Sequence, residues 1–236
     1  MTYHSQNQEP LILVNFKTYS EATGKKAFDL ARKIFETGTQ TRVKVAVAPQ
    51  FCDIMQIATG VGVPVFGQHV DSVDPGAYTG HVTAESLKAA GAIGTLLNHS
   101  ECTIRLADIR KAIVRSRELG LLTVVCAGDV ESTAAASMLM PDMVAIEPPE
   151  LIGTGRAVSR EKPEVITNSV KRIRAVNPTV KILCGAGITT GDDIYTALKL
   201  GAEGFLVASG VVRAPDPANV MTDFCEATNR FSKTLQ

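Results

Sequence analysis

The chain changes hydrophobic rhythm eight times, and that alternation restricts its fold more than any other feature. Short apolar runs of strand length recur, and each is followed by a stretch whose apolar residues fall at helical spacing. Residues 11–16 are the first run, and Ala27, Leu30, Ala31, Ile34 and Phe35 then mark one helix face. The pairs continue with 43–48 and 51–59, 63–66 and 84–90, and 95–97 followed by a helix bearing Ile109, Ala112, Ile113 and Leu119. They end with 121–126 and 131–138, 143–146 and 163–176, 180–184 and 192–200, and 204–207 and 218–232. Gly91 and Gly120 are expected to stop the helices before them. A long loop bearing Gly, Pro and Asp, 68–80, interrupts the third pair. Eight strand-helix units without a composition break predict an α/β chain, a single-domain (β/α)8 barrel spanning residues 1–236. A doubly wound open sheet is the alternative, because periodicity alone does not separate the two.

Composition narrows the function. Lys+Arg and Asp+Glu number 24 each, so the net charge is +0, which argues against nucleic acid or a membrane surface as partner. No apolar run is long enough to span a bilayer, and residues 1–10 are polar, without the apolar segment of a secretory signal. The 5 cysteines are odd in number and none forms a C-x-x-C pair. Cys126 and Cys184 lie inside apolar runs and read as small buried hydrophobes; a reducing, cytoplasmic location is expected.

The stretch 142–155, D-M-V-A-I-E-P-P-E-L-I-G-T-G, ends an apolar run on a carboxylate. A charge cannot follow a strand into a dry core unpaired, so Glu147 is either salt-bridged or at the strand's mouth. Pro148 favours the mouth, since a residue before proline is held extended. Stiff Pro148 and Pro149 at the entry and permissive Gly153 and Gly155 at the exit suggest a loop that moves as one piece. The plainer reading is an ordinary connection with a surface glutamate.

Barrels of this type place reactive groups at the C-terminal ends of their strands. Asn15 and Lys17 follow the first run, Asn98, His99, Ser100 and Glu101 the fourth, and Glu147 the sixth. Gly185-Ala186-Gly187 and Ala208-Ser209-Gly210 follow the seventh and eighth, where backbone N–H groups make an anion site without a basic side chain.

Five motifs, N-F-K at 15–17, N-H-S-E at 98–101, I-E-P-P-E-L-I-G-T-G at 146–155, C-G-A-G-I at 184–188 and L-V-A-S-G at 206–210, together resemble the triosephosphate isomerase family. They keep the family's order across nearly the whole chain. The short length, the P-P-E after Glu147 and Q-H-V-D at 68–71 resemble its archaeal branch. The resemblance implies an isomerase that interconverts D-glyceraldehyde 3-phosphate and dihydroxyacetone phosphate through an enediolate, with no cofactor and no metal. Glu147 resembles the base and His99 the electrophile that polarises the carbonyl. Lys17 would offset charge on the enediolate, with Asn15 and Phe16 beside it at the substrate; Ile152, Gly153, Gly187, Ala208 and Ser209 would hold the phosphate. In this family a histidine kept neutral by a helix N-terminus is an established pattern, and Ser100 and Glu101 are expected to open such a helix here. Loop 68–80 resembles the segment that docks into a neighbouring subunit, which implies a homo-oligomer, a tetramer favoured over a dimer.

The chain departs from the bacterial and eukaryotic members at Gly185-Ala186-Gly187-Ile188, where they usually read G-G-S-V and a serine hydroxyl is missing here, at Pro149-Glu150-Leu151 in place of an aromatic loop, and at Cys102–Arg105, where many continue with Arg residues after N-H-S-E. Glu101 is expected to pair with Lys17 rather than to cap a helix. His69, Asp71 and His81 would serve a metal-dependent epimerase of the same fold, but they read as structural parts of the long loop. Gly24-Lys25-Lys26 lacks the upstream glycine of a nucleotide loop, and Lys25, Lys26 and Lys33 read as a solvated helix face. Cys102 reads as a tolerated thiol. A phosphate-binding barrel without catalysis is the remaining rival. It would not need the base.

Overall fold

A computed structural model describes residues 9–234, so most of the polar stretch 1–10 lies outside the described residues. Eight parallel strands form one sheet: β1 (Leu11–Asn15), β2 (Lys44–Ala48), β3 (Phe66–Gly67), β4 (Gly94–Leu97), β5 (Leu122–Ala127), β6 (Met143–Ile146), β7 (Lys181–Gly185) and β8 (Gly204–Val207). Their spatial order is β2-β1-β8-β7-β6-β5-β4-β3. The bridge Val47–Val65 and the bond from Val47 N to Pro64 O bring β2 against the start of β3 and close the ring. First and last strands are neighbours, as a barrel requires and an open doubly wound sheet does not allow.

The helices are α1 (Lys25–Thr41), α2 (Ile54–Gly60), α3 (Ala84–Ala89), α4 (Leu106–Glu118), α5 (Val130–Met138), α6 (Val158–Glu161), α7 (Pro163–Val176), α8 (Gly191–Lys199), α9 (Ser209–Val212) and α10 (Pro217–Ser232). Local chemistry starts several of them. Asp129 and Thr190 each form a reciprocal capping box with the residue three places on, and Pro163 and Pro217 occupy first-turn positions where a missing N–H costs nothing. Gly91 and Gly120 follow α3 and α4 with φ of +90° and +74°, as stops of this kind require. The third strand is shorter than residues 63–66 predicted, because Pro64 cannot donate to a ladder. Two short helices, α6 and α9, carry no sequence signal of their own length.

The core has two layers set by strand parity. Leu11, Leu13, Ala46, Phe66, Leu96, Val124, Met143, Ala145, Leu183 and Leu206 pack inside the ring. Their neighbours Ile12, Val14, Val45, Leu97, Val144, Ile146, Ile182 and Phe205 pack outward against the helices. Alternate residues face opposite sides of a sheet, so a residue at a strand's end inherits the face of the one two places before it. No helix among the described residues is long and apolar enough to cross a membrane.

Candidate active site

Parity carries the site's residues to the barrel mouth. Asn15 follows Leu11 and Leu13 inward, Glu147 follows Met143 and Ala145, and Ala208 follows Leu206. Phe16 falls on the other face, fully buried with Ile12 and Val14 in the outer core. It does not line the pocket, so its expected place at the substrate is corrected: it follows an inward residue and therefore faces out. The other expected residues, Asn15, Lys17, His99, Glu147, Ile152, Gly153, Gly187, Ala208 and Ser209, all line one pocket at the mouth.

Lys17, Asn98 and Ala186, just past β1, β4 and β7, hold φ of +48°, +58° and +69°. Such conformations are costly for residues with a Cβ and persist only where neighbours enforce them. At Asn98 the enforcement is visible. Its amide donates to Cys126 O at 3.1 Å and its carbonyl oxygen accepts from Ile104 N at 3.1 Å. The turn swings His99 into the pocket, where parity would otherwise have put Asn98. Lys17 is held by its own N–H on Asn15 Oδ1 at 2.9 Å and by Gln68 Nε2, which donates to Lys17 O at 2.9 Å and Ala48 O at 3.0 Å. Gln68 had no sequence signal as a brace. Its inward parity after Phe66 is the feature that could have revealed it.

The charged groups converge. Lys17 Nζ lies 2.6 Å from Glu101 Oε1, the pairing expected from the sequence. His99 Nε2 lies 3.9 Å from Glu147 Oε2, too far for a hydrogen bond. Glu101 N donates to His99 Nδ1 at 3.1 Å. An accepting Nδ1 carries no proton, which leaves Nε2 as the donating nitrogen. The expected helix at Ser100 is absent. Residues 100–102 form a turn and α4 starts at Leu106, so a single backbone N–H does what a helix N-terminus was expected to do.

Glu147 is a buried carboxylate whose Oε2 has no hydrogen-bond partner. Burial pushes its carboxyl above the ordinary carboxylate range, against the opposing pull of His99, the Cys126 thiol and Lys17. Cys126, expected only as a small hydrophobe, is thus also a neighbour of this acid, and burial raises its own thiol well above the ordinary value. Gly185 lies beneath Glu147: a Cβ there would meet Glu147 Cγ at 2.6 Å and Oε1 at 2.7 Å. The glycine makes room for the acid.

The opposite wall is main chain. Gly187 has φ +71°, and a Cβ on it would lie 1.9 Å from Arg156 O, so only glycine fits under the exit of the 148–155 loop. Helix α9 opens at Ser209; the N–H groups of Val211 and Val212 bond to Ala208 O, whereas those of Ser209 and Gly210 have no partner within the helix. Ala186 and Gly210, from the two glycine turns read as an anion site, and Thr189, not singled out from the sequence, complete that wall. Within the loop, Pro149–Leu151 form a 3-10 turn with Leu151 buried, and Thr154 bonds back to Leu151 O through its N–H at 3.3 Å and its hydroxyl at 2.8 Å. Elsewhere, His69 Nε2 sits 3.3 Å from Asp71 Oδ1, and among the described residues no three His, Cys, Asp or Glu are grouped to hold a metal.

The sequence model of the family described as "Triosephosphate isomerase" matches residues 10–228. The triosephosphate isomerase of Methanothermobacter thermautotrophicus is 51% identical over 214 residues, covering 91% of this chain and 93% of that protein. That of Methanosarcina barkeri is 47% identical over 214 residues, covering 91% and 96%. The crystal structure of triosephosphate isomerase from Bartonella henselae superposes with a TM-score of 0.73 over 92% of this chain and 99% of that one, at 19% identity, a likeness of fold. Strand order, mouth geometry and relatives agree, and the chain belongs to the triosephosphate isomerase family.

Proposed function

We infer that this chain is an isomerase that interconverts D-glyceraldehyde 3-phosphate and dihydroxyacetone phosphate, the triose step shared by glycolysis and gluconeogenesis. Glu147 acts as base on the carbon beside the carbonyl. Its unpartnered oxygen and its raised carboxyl both favour taking a proton. The carbonyl oxygen then gains charge as the enediolate forms. His99 Nε2–H and the Lys17 ammonium meet that charge; His99 gives its Nε2 proton to that oxygen and takes the hydroxyl proton from the other, and the protonated Glu147 returns its proton to the neighbouring carbon. A placed base contributes about 10²–10⁴-fold. Each placed donor adds roughly 10²–10³-fold.

The phosphate rests on the main chain of Gly187, Ala208 and Ser209, with Ile152 and Gly153 closing over it and Asn15 beside Lys17. Closure of residues 148–155 excludes water from an enediolate that would otherwise expel its phosphate. The observation that carries this reading is the 3.9 Å gap between His99 Nε2 and Glu147 Oε2, which neither group fills with the other. A non-catalytic phosphate binder has no use for an unsatisfied buried acid. The test is Glu147→Gln in a coupled assay with dihydroxyacetone phosphate. Turnover should collapse while 2-phosphoglycolate still binds; near-native turnover would reject Glu147 as base.

We place the enzyme in the cytoplasm, where its five free thiols are stable. Residues 1–236 act as one domain, since β1 lies between β2 and β8 and no cut separates the ring. We propose a homo-oligomer, a tetramer in preference to a dimer. Tyr78 stands exposed on the long loop, and Leu106, Met138 and Met140 stand exposed around α4 and α5. Sedimentation equilibrium distinguishes the two sizes.

A further inference from the structure

Asp193, in the first turn of α8, is a carboxylate only 2% exposed that touches no reacting group. Its Oδ2 accepts from Thr189 N at 3.1 Å, Thr190 N at 2.9 Å and Thr190 Oγ1 at 2.9 Å. Its Oδ1 has no hydrogen bond aligned on it and instead faces Arg160 Nε at 2.6 Å. The same guanidinium donates from a second nitrogen to Thr190 Oγ1 at 2.8 Å. Arg160 lies on α6, five residues beyond Gly155. The other end of the 186–190 turn is held from that helix too, by Val158 N on Ala186 O at 3.2 Å. Between these two ties lie Gly187 and Ile188, with the Arg156 carbonyl pressed on Gly187.

We propose that Arg160 and Asp193 are a positioning pair: they hold the 186–190 turn in its anion-binding shape and tie it to the exit of the 148–155 loop. This rests on reading Gly187 as part of the phosphate cradle. Asp193 fixes the turn by gathering its N–H groups. Arg160 neutralises the carboxylate, which would otherwise sit buried, charged and close to an incoming phosphate. A guanidinium suits the post because it reaches Asp193 and Thr190 together; a lysine offers one point of charge. The pair touches neither carbonyl nor transferred proton, so it acts on the phosphate end of the substrate alone.

The experiment compares the wild type, Arg160→Ala and Arg160→Lys in three readings: affinity for 2-phosphoglycolate, kcat/KM with glyceraldehyde 3-phosphate, and kcat/KM with phosphate-free glyceraldehyde. Arg160→Ala should weaken the analogue and lower kcat/KM for the phosphorylated triose by about tenfold or more, and alter glyceraldehyde by about twofold or less. Arg160→Lys should recover part of the loss. Equal losses on both substrates, the mark of a merely structural role, would overturn the proposal, as would an Arg160→Ala protein indistinguishable from wild type. Should Arg160→Ala not fold, Arg160→Gln and Arg160→Lys are judged by the same ratio. A wild type that does not bind 2-phosphoglycolate overturns the cradle as well as the pair, whereas a binding wild type with an indifferent variant overturns the pair alone.

Discussion

Glu147 and Asp193 are both buried acids at the same end of the barrel, and their surroundings treat them in opposite ways. Asp193 is surrounded by donors: backbone N–H groups, a threonine hydroxyl and a guanidinium. Glu147 has an oxygen with no donor, an imidazole held at 3.9 Å, and a carboxyl driven upward by burial. A carboxylate with donors on one oxygen and a cation against the other stabilises a turn and stays unreactive. A poorly satisfied one costs stability and gains basicity. On the function proposed above, the difference is that between a part that holds shape and a part that reacts, and substitutions should separate them by sign.

The largest effect belongs to Glu147→Gln. Turnover should fall by about 10³-fold or more, while thermal stability holds or rises because a buried charge is gone. The pH dependence has a definite sign. A folded carboxyl above its ordinary value of 4.5 binds protons that the unfolded chain has already released. Its contribution to stability is complete below about 4.5 and is lost as pH rises through the folded value. Thermal melts should therefore show wild type and Glu147→Gln diverging as pH rises through that window, with the variant gaining. A constant difference across the range would contradict the burial argument. The acid limb of kcat/KM should likewise lie above the ordinary carboxylate range.

Next comes Gly185→Ala, which inserts a methyl into the space of the Glu147 side chain. Displacing a base by about 1 Å can cost on the order of 10²-fold. Circular dichroism should show the fold intact while kcat drops, and a native kcat would mean that the acid tolerates movement. Asp193→Asn tests the other member. It should lower stability by about 2 kcal/mol, the opposite sign to Glu147→Gln, through loss of charge-assisted bonds. Melting temperature would drop by about 4–8 °C for a chain of this size. The smallest effect is expected of Phe16→Leu, a core substitution costing about 1 kcal/mol, with KM unchanged because the ring faces away from the pocket. A raised KM would return Phe16 to the site.

Much of the site was legible because the mouth of a barrel is marked wherever an apolar run ends on a polar residue. Asn15, Glu147 and the glycine turns after β7 and β8 stand at such ends. β6 and β8 keep the boundaries predicted for them, since a buried parallel strand is a continuous apolar run. Phe16 was misplaced because a motif groups neighbours in sequence, whereas a strand sends neighbours to opposite faces. His99 was found, but its support was not. The sequence suggested a helix at Ser100, and the structure uses one backbone N–H at Glu101.

Gln68 and Arg160 belong to another class. Each acts on a partner far along the chain, Gln68 on Lys17 and Ala48, Arg160 on Asp193 and Thr190. Local pattern records what a residue prefers for itself and its near neighbours. The eight strands, their helices and the polar residues at their ends follow from such preferences, and the sequence by itself determined them. Closure of the ring, the left-handed turns at Lys17, Asn98 and Ala186, the starved oxygen of Glu147 and the guanidinium-paired carboxylate of Asp193 were decided by tertiary structure alone. Burial and hydrogen-bond partners are properties of the packed molecule: the same carboxylate becomes base or brace according to which donors the fold brings within about 3 Å of it.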